Sequence, residues 1–336
     1  MPLADELRAR IEKDGPMTVR DFMAAAAQAY YARGPDIGAE GDFYTASNVS
    51  LFPLALSRFV KGALARMDGI ARVVELGGGR GDLASQLGVD ITVVEPSVGL
   101  AKKQEARGLQ VASSLGELRP RPTIFVANEL LDALPVHRIH MTPEGAREGY
   151  VVWRDEEFVE TTGPLTLGPA SVPSDLQEGD VAEVCVEAGA LLDAMAVAAP
   201  RCIALFLDYA AGPPRPGGTL RGFSKHQVTS PLRAPGEQDI TADVDFAAIE
   251  RLALARGFEV LGARSQGEFL ADLGLVEDMM SAMGRGDHDA YAAGKSLLMP
   301  TAMGERFRVL CLGRGVAKEP PLPGFRADLY PGASRR

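Results

Sequence analysis

At 336 residues the chain is long for one compact core, which points to one elaborated domain or a core carrying large insertions. Hydrophobic residues make up 46% and charged residues 24%, an ordinary balance for a soluble globular protein, and 35 Lys and Arg against 45 Asp and Glu give a net charge of −10. That acidity argues against nucleic-acid binding, and no apolar run is long enough for a membrane span. The cysteines, Cys185, Cys202 and Cys311, sit in apolar surroundings without a CxxC pair, as expected of buried thiols in a reducing compartment. The opening residues mix acids with bases and fit neither a signal peptide nor a mitochondrial transit peptide, so the cytoplasm is the expected location.

In chain order, Leu3, Leu7 and Ile11 recur every four residues, the stripe of a short amphipathic helix. Thr18, with Asp21 three residues later, is positioned to cap an alanine-rich helix. A glycine-rich loop, "ARGPDIGAEGDFYTAS", precedes a further helix over "LFPLALSRFVKGALARM". Residues 1–70 therefore form a helical N-terminal region. From Arg72 the short apolar runs "RVVEL", "ITVVEP", "LQVASS", "TIFVANE" and "IALFLDY" predict strands, with helices after Gly81, Ser97 and Asn128. This alternation predicts an α/β core, a parallel sheet with helices on both faces, over 71–135 and 201–314. Between Val136 and about Thr161 an antiparallel meander is inserted, so 136–200 is an inserted meander and helix. The segment 212–239 is rich in Gly, Pro and polar residues and reads as a long functional loop. Phe246 to Arg256 predicts a helix, "FEVLGA" a strand, and a helical stretch follows to about Pro300. "ERFRVLCLG" is the last strand, and 315–336 is a Pro-rich tail.

"VVELGGGRGDL" (Val73 to Leu83) places an acid at a strand end and four glycines directly after it. A dinucleotide fingerprint counted from Gly77 fails at Asp82, and counted from Gly79 it starts too far past the strand. The pattern Glu75-x-Gly77-x-Gly79-x-Gly81 instead resembles the first motif of class I S-adenosylmethionine (SAM) methyltransferases. Glu95 ends the second strand twenty positions after Glu75, where an adenosine nucleotide in this geometry finds an acceptor for its ribose hydroxyls. A phosphate loop at Gly294 to Ser296 fails because Asp289 stands where glycine is needed. His137 and His140 are spaced like zinc ligands but lack partners and read as meander residues, so no metal is expected.

Five segments in order, "GDFYTAS", "VVELGGGRGDL", "ANELLDALPVHR", "TLRGFSKH" and "PGEQDITADVDF", resemble the MidA-type family of SAM-dependent methyltransferases. The resemblance runs over nearly the whole chain, and the segments around "ANELLDALP" and "DITADVDF" are its specific part. It implies a class I SAM-methyltransferase Rossmann-like sheet, with SAM as cofactor. Mitochondrial members of that family support respiratory complex I assembly and methylate an arginine on a complex I subunit. Where relatives continue Thr-Ser-Pro-Glu, this chain has Thr45, Ala46, Ser47 and Asn48, which removes an acid on the substrate side, and Gly78 stands in place of the usual proline.

These readings assign Gly77, Gly79 and Gly81 to the cofactor turn, Glu75 to the methionine amino group and Glu95 to the ribose. Asn128, Glu129 and Asp132 follow the fourth strand, in the crevice where such sheets bind ligands, and are the candidate catalytic residues. Acids also favour a helix's first turn, which is the competing account of Glu129 and Asp132. Of Asp239, Thr241, Asp243 and Asp245, Thr241 and Asp243 are the natural helix caps, and Arg221, Lys225 and His226 sit on a loop able to close over the site. The expected function is methylation of a protein, with arginine as the acceptor. The alternatives are a small-molecule methyltransferase and a non-catalytic assembly protein that retains the fold. Neither nucleic acid nor membrane is an expected partner, and a homodimer is left open.

Overall fold

The computed structural model describes residues 1–35, 46, 49–225 and 227–326. The chain begins with α1 (Leu3–Asp14), β1 (Met17–Thr18), α2 (Val19–Ala32) and α3 (Leu51–Arg66). The core starts at β2 (Arg72–Leu76), β3 (Ile91–Val94), α4 (Val98–Glu105), β4 (Gln110–Ala112) and β5 (Thr123–Asn128). An antiparallel excursion follows: β6 (His137–Thr142), β7 (Gly145–Arg154), β8 (Glu157–Gly163) and β9 (Val181–Val184). α5 (Glu187–Ala198) and β10 (Cys202–Tyr209) return to the core, before the short strands β11 (Arg221–Ser224), β12 (Gln227–Thr229) and β13 (Asp239–Thr241). The chain closes with α6 (Phe246–Leu254), β14 (Glu259–Ser265), α7 (Gln266–Asp272), α8 (Leu275–Gly284), α9 (His288–Leu298) and β15 (Phe307–Arg314).

The central sheet has seven strands in the order β4-β3-β2-β5-β10-β15-β14. β2, β3, β4, β5 and β10 are parallel, and β15 runs antiparallel to both of its neighbours. The parallel strands carry consecutive apolar residues in their middles because both sheet faces are covered. Side chains alternate between those faces. Ile124 and Val126 of β5 pack with Phe52, Phe59 and Leu275 of the α3, α7 to α9 layer. Phe125 and Ala127 pack on the other face with Leu192, Met195 and Ile249 of α5 and α6. The tail contributes to the first layer, where Leu322 and Phe325 are buried and Phe325 meets Phe59 and Phe269. All three thiols are pushed up by burial, Cys185 to about 11 and Cys202 to about 12, which keeps them protonated and inert.

The meander forms its own sheet in the order β1-β7-β6-β9, with β8 beside β7. α1 and α2 bury Leu7, Ile11, Phe22 and Met23 against it, so the N-terminal helices serve the insertion while α3 serves the core. Thr18 caps α2 as its spacing predicts, its side chain accepting the Asp21 N–H at 3.1 Å. Thr18→Ala is expected to cost about 1 kcal/mol in denaturant unfolding, a typical loss for a helix cap. His137 and His140 are strand residues paired with Glu148 (2.6 Å) and Glu160 (2.8 Å). Among the described residues no helix is long and apolar enough to cross a membrane.

Three expectations need correction. Only a single 3-10 turn, Ala84–Gln86, follows Gly81, and no helix follows Asn128, where the chain runs through turns to Pro135. There the buried Asp208 carboxylate takes the N–H groups of Leu131 and Asp132 that a helix would have used. The segment 212–239 is not a loose loop, since it contributes a three-stranded sheet ordered β12-β11-β13. Gln238 ties it together, buried, donating to the Ser230 and Arg233 carbonyls and bonded to Thr229. Strands this short, held by their backbone ladders and a buried polar side chain, leave little hydrophobic period to read. Finally, Asp245, rather than Thr241 or Asp243, caps α6 by accepting the Ala248 N–H.

Candidate active site

β2 ends in Glu75, and the glycine turn after it is built from residues few side chains tolerate. Gly77, Gly79 and Gly81 have φ of 66°, 52° and 80°. A side chain at Gly77 would also lie 2.7 Å from Leu130, so the turn abuts the loop that follows β5. Glu75 lies beneath this turn, one oxygen taking the Ala84 N–H while buried Oε2 has no hydrogen-bond partner among the described residues. Burial pushes its carboxyl up to about 8. Glu95 stands at the end of the neighbouring β3, with Oε1 accepting the Ser97 N–H at 3.0 Å and Oε2 facing Gln104 Nε2 at 3.4 Å. Gln104 also donates to the Gly79 carbonyl at 2.8 Å, so one buried amide links the turn to Glu95. Burial raises Glu95 to about 7.

The second half of the site is a cluster of acids at the carboxyl ends of β5 and β10. Glu129 follows β5 in a left-handed conformation (φ 53°), and its Oε1 accepts the Ala46 N–H and Asn128 Nδ2, both at 2.9 Å. The carboxyl is raised to about 8, first by burial and then by Asp208 and Asp239. Asp132, Asp208 and Asp239 are 5%, 1% and 3% exposed, so three further carboxylates face one another with little water between them. Asp132 is held well above the usual range by burial and then by Asp208, Asp239 and Glu129, with Arg221 opposing. Asp208 is raised to about 7 by burial, against the backbone N–H groups it accepts. Asn128 Oδ1 is buried without a hydrogen-bond partner among the described residues.

Every sequence-predicted site residue thus lies along the carboxyl edge of β2, β3 and β5. The helix-dipole account of Glu129 and Asp132 falls, since no helix begins there. Arg221 is not an exposed loop cation, because it pairs with Asp243 at 2.6 Å and stacks over Tyr209 and Phe223. Lys225 lies in the turn between β11 and β12, while His226 and all of "GDFYTAS" but Ala46 fall outside the described residues. Sequence reasoning missed Asp208 and Tyr31, whose hydroxyl donates to Asp239 at 2.8 Å. An acid closing the apolar strand "IALFLDY" was the available signal for Asp208; nothing local marked Tyr31.

The orphaned Glu75 oxygen and the carboxylate at the end of β3 suit a ligand with a cationic amine and vicinal hydroxyls, as SAM has. A family model described as an S-adenosyl-L-methionine-dependent methyltransferase matches residues 56–264. The chain is 30% identical to the mitochondrial protein arginine methyltransferase NDUFAF7 of Rattus norvegicus, over 93% of this chain and 84% of that protein. It is 28% identical to the Homo sapiens protein of the same name, over 93% and 83%. A Burkholderia thailandensis crystal structure bound to S-adenosyl-homocysteine superposes with a TM-score of 0.86 at 29% identity, covering 96% of this chain and 94% of that one. The strand order, the glycine turn and these matches agree: the chain belongs to the MidA-type family of SAM-dependent methyltransferases, with SAM as its methyl donor.

Proposed function

We propose that the enzyme methylates a protein on the guanidinium of an arginine. The observation that carries this is the cluster of Glu129, Asp132, Asp208 and Asp239, buried carboxyls that resist ionisation alone and that a bound cation would allow to ionise. The NDUFAF7 relatives, named as protein arginine methyltransferases, support it. The same reading puts Gly77, Gly79 and Gly81 under the cofactor, Glu75 on its amine and Glu95 on its ribose. A cytoplasmic location is part of the same proposal, whereas the NDUFAF7 relatives are mitochondrial by name.

Bound SAM supplies an electrophilic methyl group on a sulfonium sulfur. A guanidinium stays protonated, with a pKa above about 12, and is a poor nucleophile. Glu129, fixed by Ala46 and Asn128, holds the planar fork in two-point contact and aims one nitrogen. Methylation of a protonated guanidinium releases one proton, since the product is again a monocation. Glu129 and its acidic neighbours are the groups in place to take that proton. Ionisation of Glu129 is favoured once a cation sits beside it.

To test the acceptor, the enzyme is incubated with radiolabelled SAM and extract from cells lacking the gene. Label recovered on arginine of a protein supports the proposal; label on another side chain or on a small molecule overturns it. The pH dependence follows from the same carboxyls. kcat/KM is expected to rise through pH 7 to 8, as the groups at about 7 and about 8 ionise, and Glu129→Gln should lose much of that limb. Stability runs the other way. Carboxyls raised in the folded state keep protons that the unfolded chain loses, so stability is full below the ordinary carboxyl range and falls as pH rises to about 8. The cofactor-free protein should therefore melt several degrees lower at pH 9 than at pH 5. A flat melting profile would contradict the burial of these groups.

A further inference from the structure

We infer that Tyr31 is a positioning residue which ties the ribose carboxylate to the acceptor carboxylates, so that filling the cofactor site orders Asp239 on β13. This rests on the reading that Glu95 takes the ribose and the acid cluster takes the acceptor.

The connection is a continuous run of hydrogen bonds. Glu95 Oε1 accepts the Ser97 N–H at 3.0 Å, Ser97 Oγ donates to the Tyr31 carbonyl at 2.5 Å, and Tyr31 Oη donates to Asp239 Oδ1 at 2.8 Å. Ser97 also caps α4 by accepting the Leu100 N–H, so its position is set from both sides. The end of α2 cannot drift from the start of α4. A side chain at Gly99 would lie 2.4 Å from the Gly34 nitrogen and 2.6 Å from the Ala32 carbonyl oxygen, so the two backbones touch.

At the far end the connection reaches a short, buried strand. β13 is three residues long and pairs within the sheets only with β11. Its Asp239 lies close enough to Glu129 and Asp132 to help raise both of their carboxyls. A phenol donating to this carboxylate fixes its direction. The Tyr31 hydroxyl, in turn, is held protonated by burial and by Asp239, so it stays a donor throughout the working range. A cofactor hydroxyl on Glu95 would stiffen Ser97, hence the Tyr31 carbonyl, and hence the ring whose hydroxyl holds β13. Rigid elements in contact pass on order in this way without a change of fold.

Amide hydrogen exchange with and without S-adenosyl-homocysteine reads this without needing the acceptor. In the wild-type protein the ligand should slow exchange of residues 239–241 about fivefold or more, the scale of one hydrogen bond. Tyr31→Phe keeps the ring and removes only the hydroxyl. In that variant the added protection should vanish, while ligand affinity by calorimetry stays within about twofold of wild type. Ser97→Gly cuts the connection at its other link and costs a cap little, so it should also remove the protection of 239–241. Equal protection of β13 in wild type and Tyr31→Phe overturns the inference. So does unprotected β13 in the wild type, or an affinity that falls along with the protection. Failure of the arginine proposal would show instead as label on another acceptor, a result independent of exchange.

Discussion

Glu129→Gln is expected to slow methyl transfer by about two orders of magnitude or more while SAM affinity stays nearly unchanged, the scale of losing one placed electrostatic group. The substitution keeps size, and an amide oxygen still accepts from Ala46 and Asn128, so the turn at φ 53° keeps its contacts. What is lost is the negative charge that steers the guanidinium fork and the base that takes its proton. A glutamate that merely suited a turn would give another result, namely a small change in melting temperature and full turnover. Removing a carboxyl raised to about 8 by burial should leave the fold as stable as wild type, or more so, at pH 8. Three measurements on one variant separate the cases: SAM affinity, melting temperature and transfer rate. Full activity would remove Glu129 from the mechanism.

Gly77→Val is the second large effect, aimed at the cofactor. At φ 66° a β-branched residue is strained, and the new Cβ would lie 2.7 Å from Leu130, next to Glu129 in the chain. Relief requires the turn to move away from the cofactor or Leu130 to move into the acceptor loop. We expect calorimetry to show SAM affinity lower by about a hundredfold, equivalent to about 2.7 kcal/mol. Gly108→Val separates strain from position. Gly108 also has positive φ (79°), but no described residue lies within 4 Å of its added Cβ. It should cost stability and spare SAM binding. Equal loss in the two variants would show that the glycine turn matters only for folding.

The parallel core was legible because its physics is local. "TIFVAN" and "CIALFLDY" carry apolar residues on consecutive positions, as a strand covered on both faces requires, and they became β5 and β10. The glycine spacing was legible because positive φ restricts the choice of residue. Elsewhere the determining contact comes from far along the chain. "ELLDALP" has the composition of a helix start, but Asp208, 77 residues from Leu131, captures its N–H groups. Arg221 reads as a cation on a closing loop until Asp243 and the Tyr209 ring enclose it. Tyr31 reaches Asp239 across 208 residues, and no short window of sequence contains that hydrogen bond.

The position of β15 bears on how this protein comes off the ribosome. Its residues, Phe307–Arg314, follow every other strand in chain order, yet they lie between β10 and β14. Until they emerge, β10 has β5 on one side and an open row of backbone donors and acceptors on the other. That exposed edge is eight residues long and carries a single charge, Asp208, so it is a ready template for pairing with a second nascent chain. The strand that completes the sheet therefore also ends its period of greatest risk of aggregation.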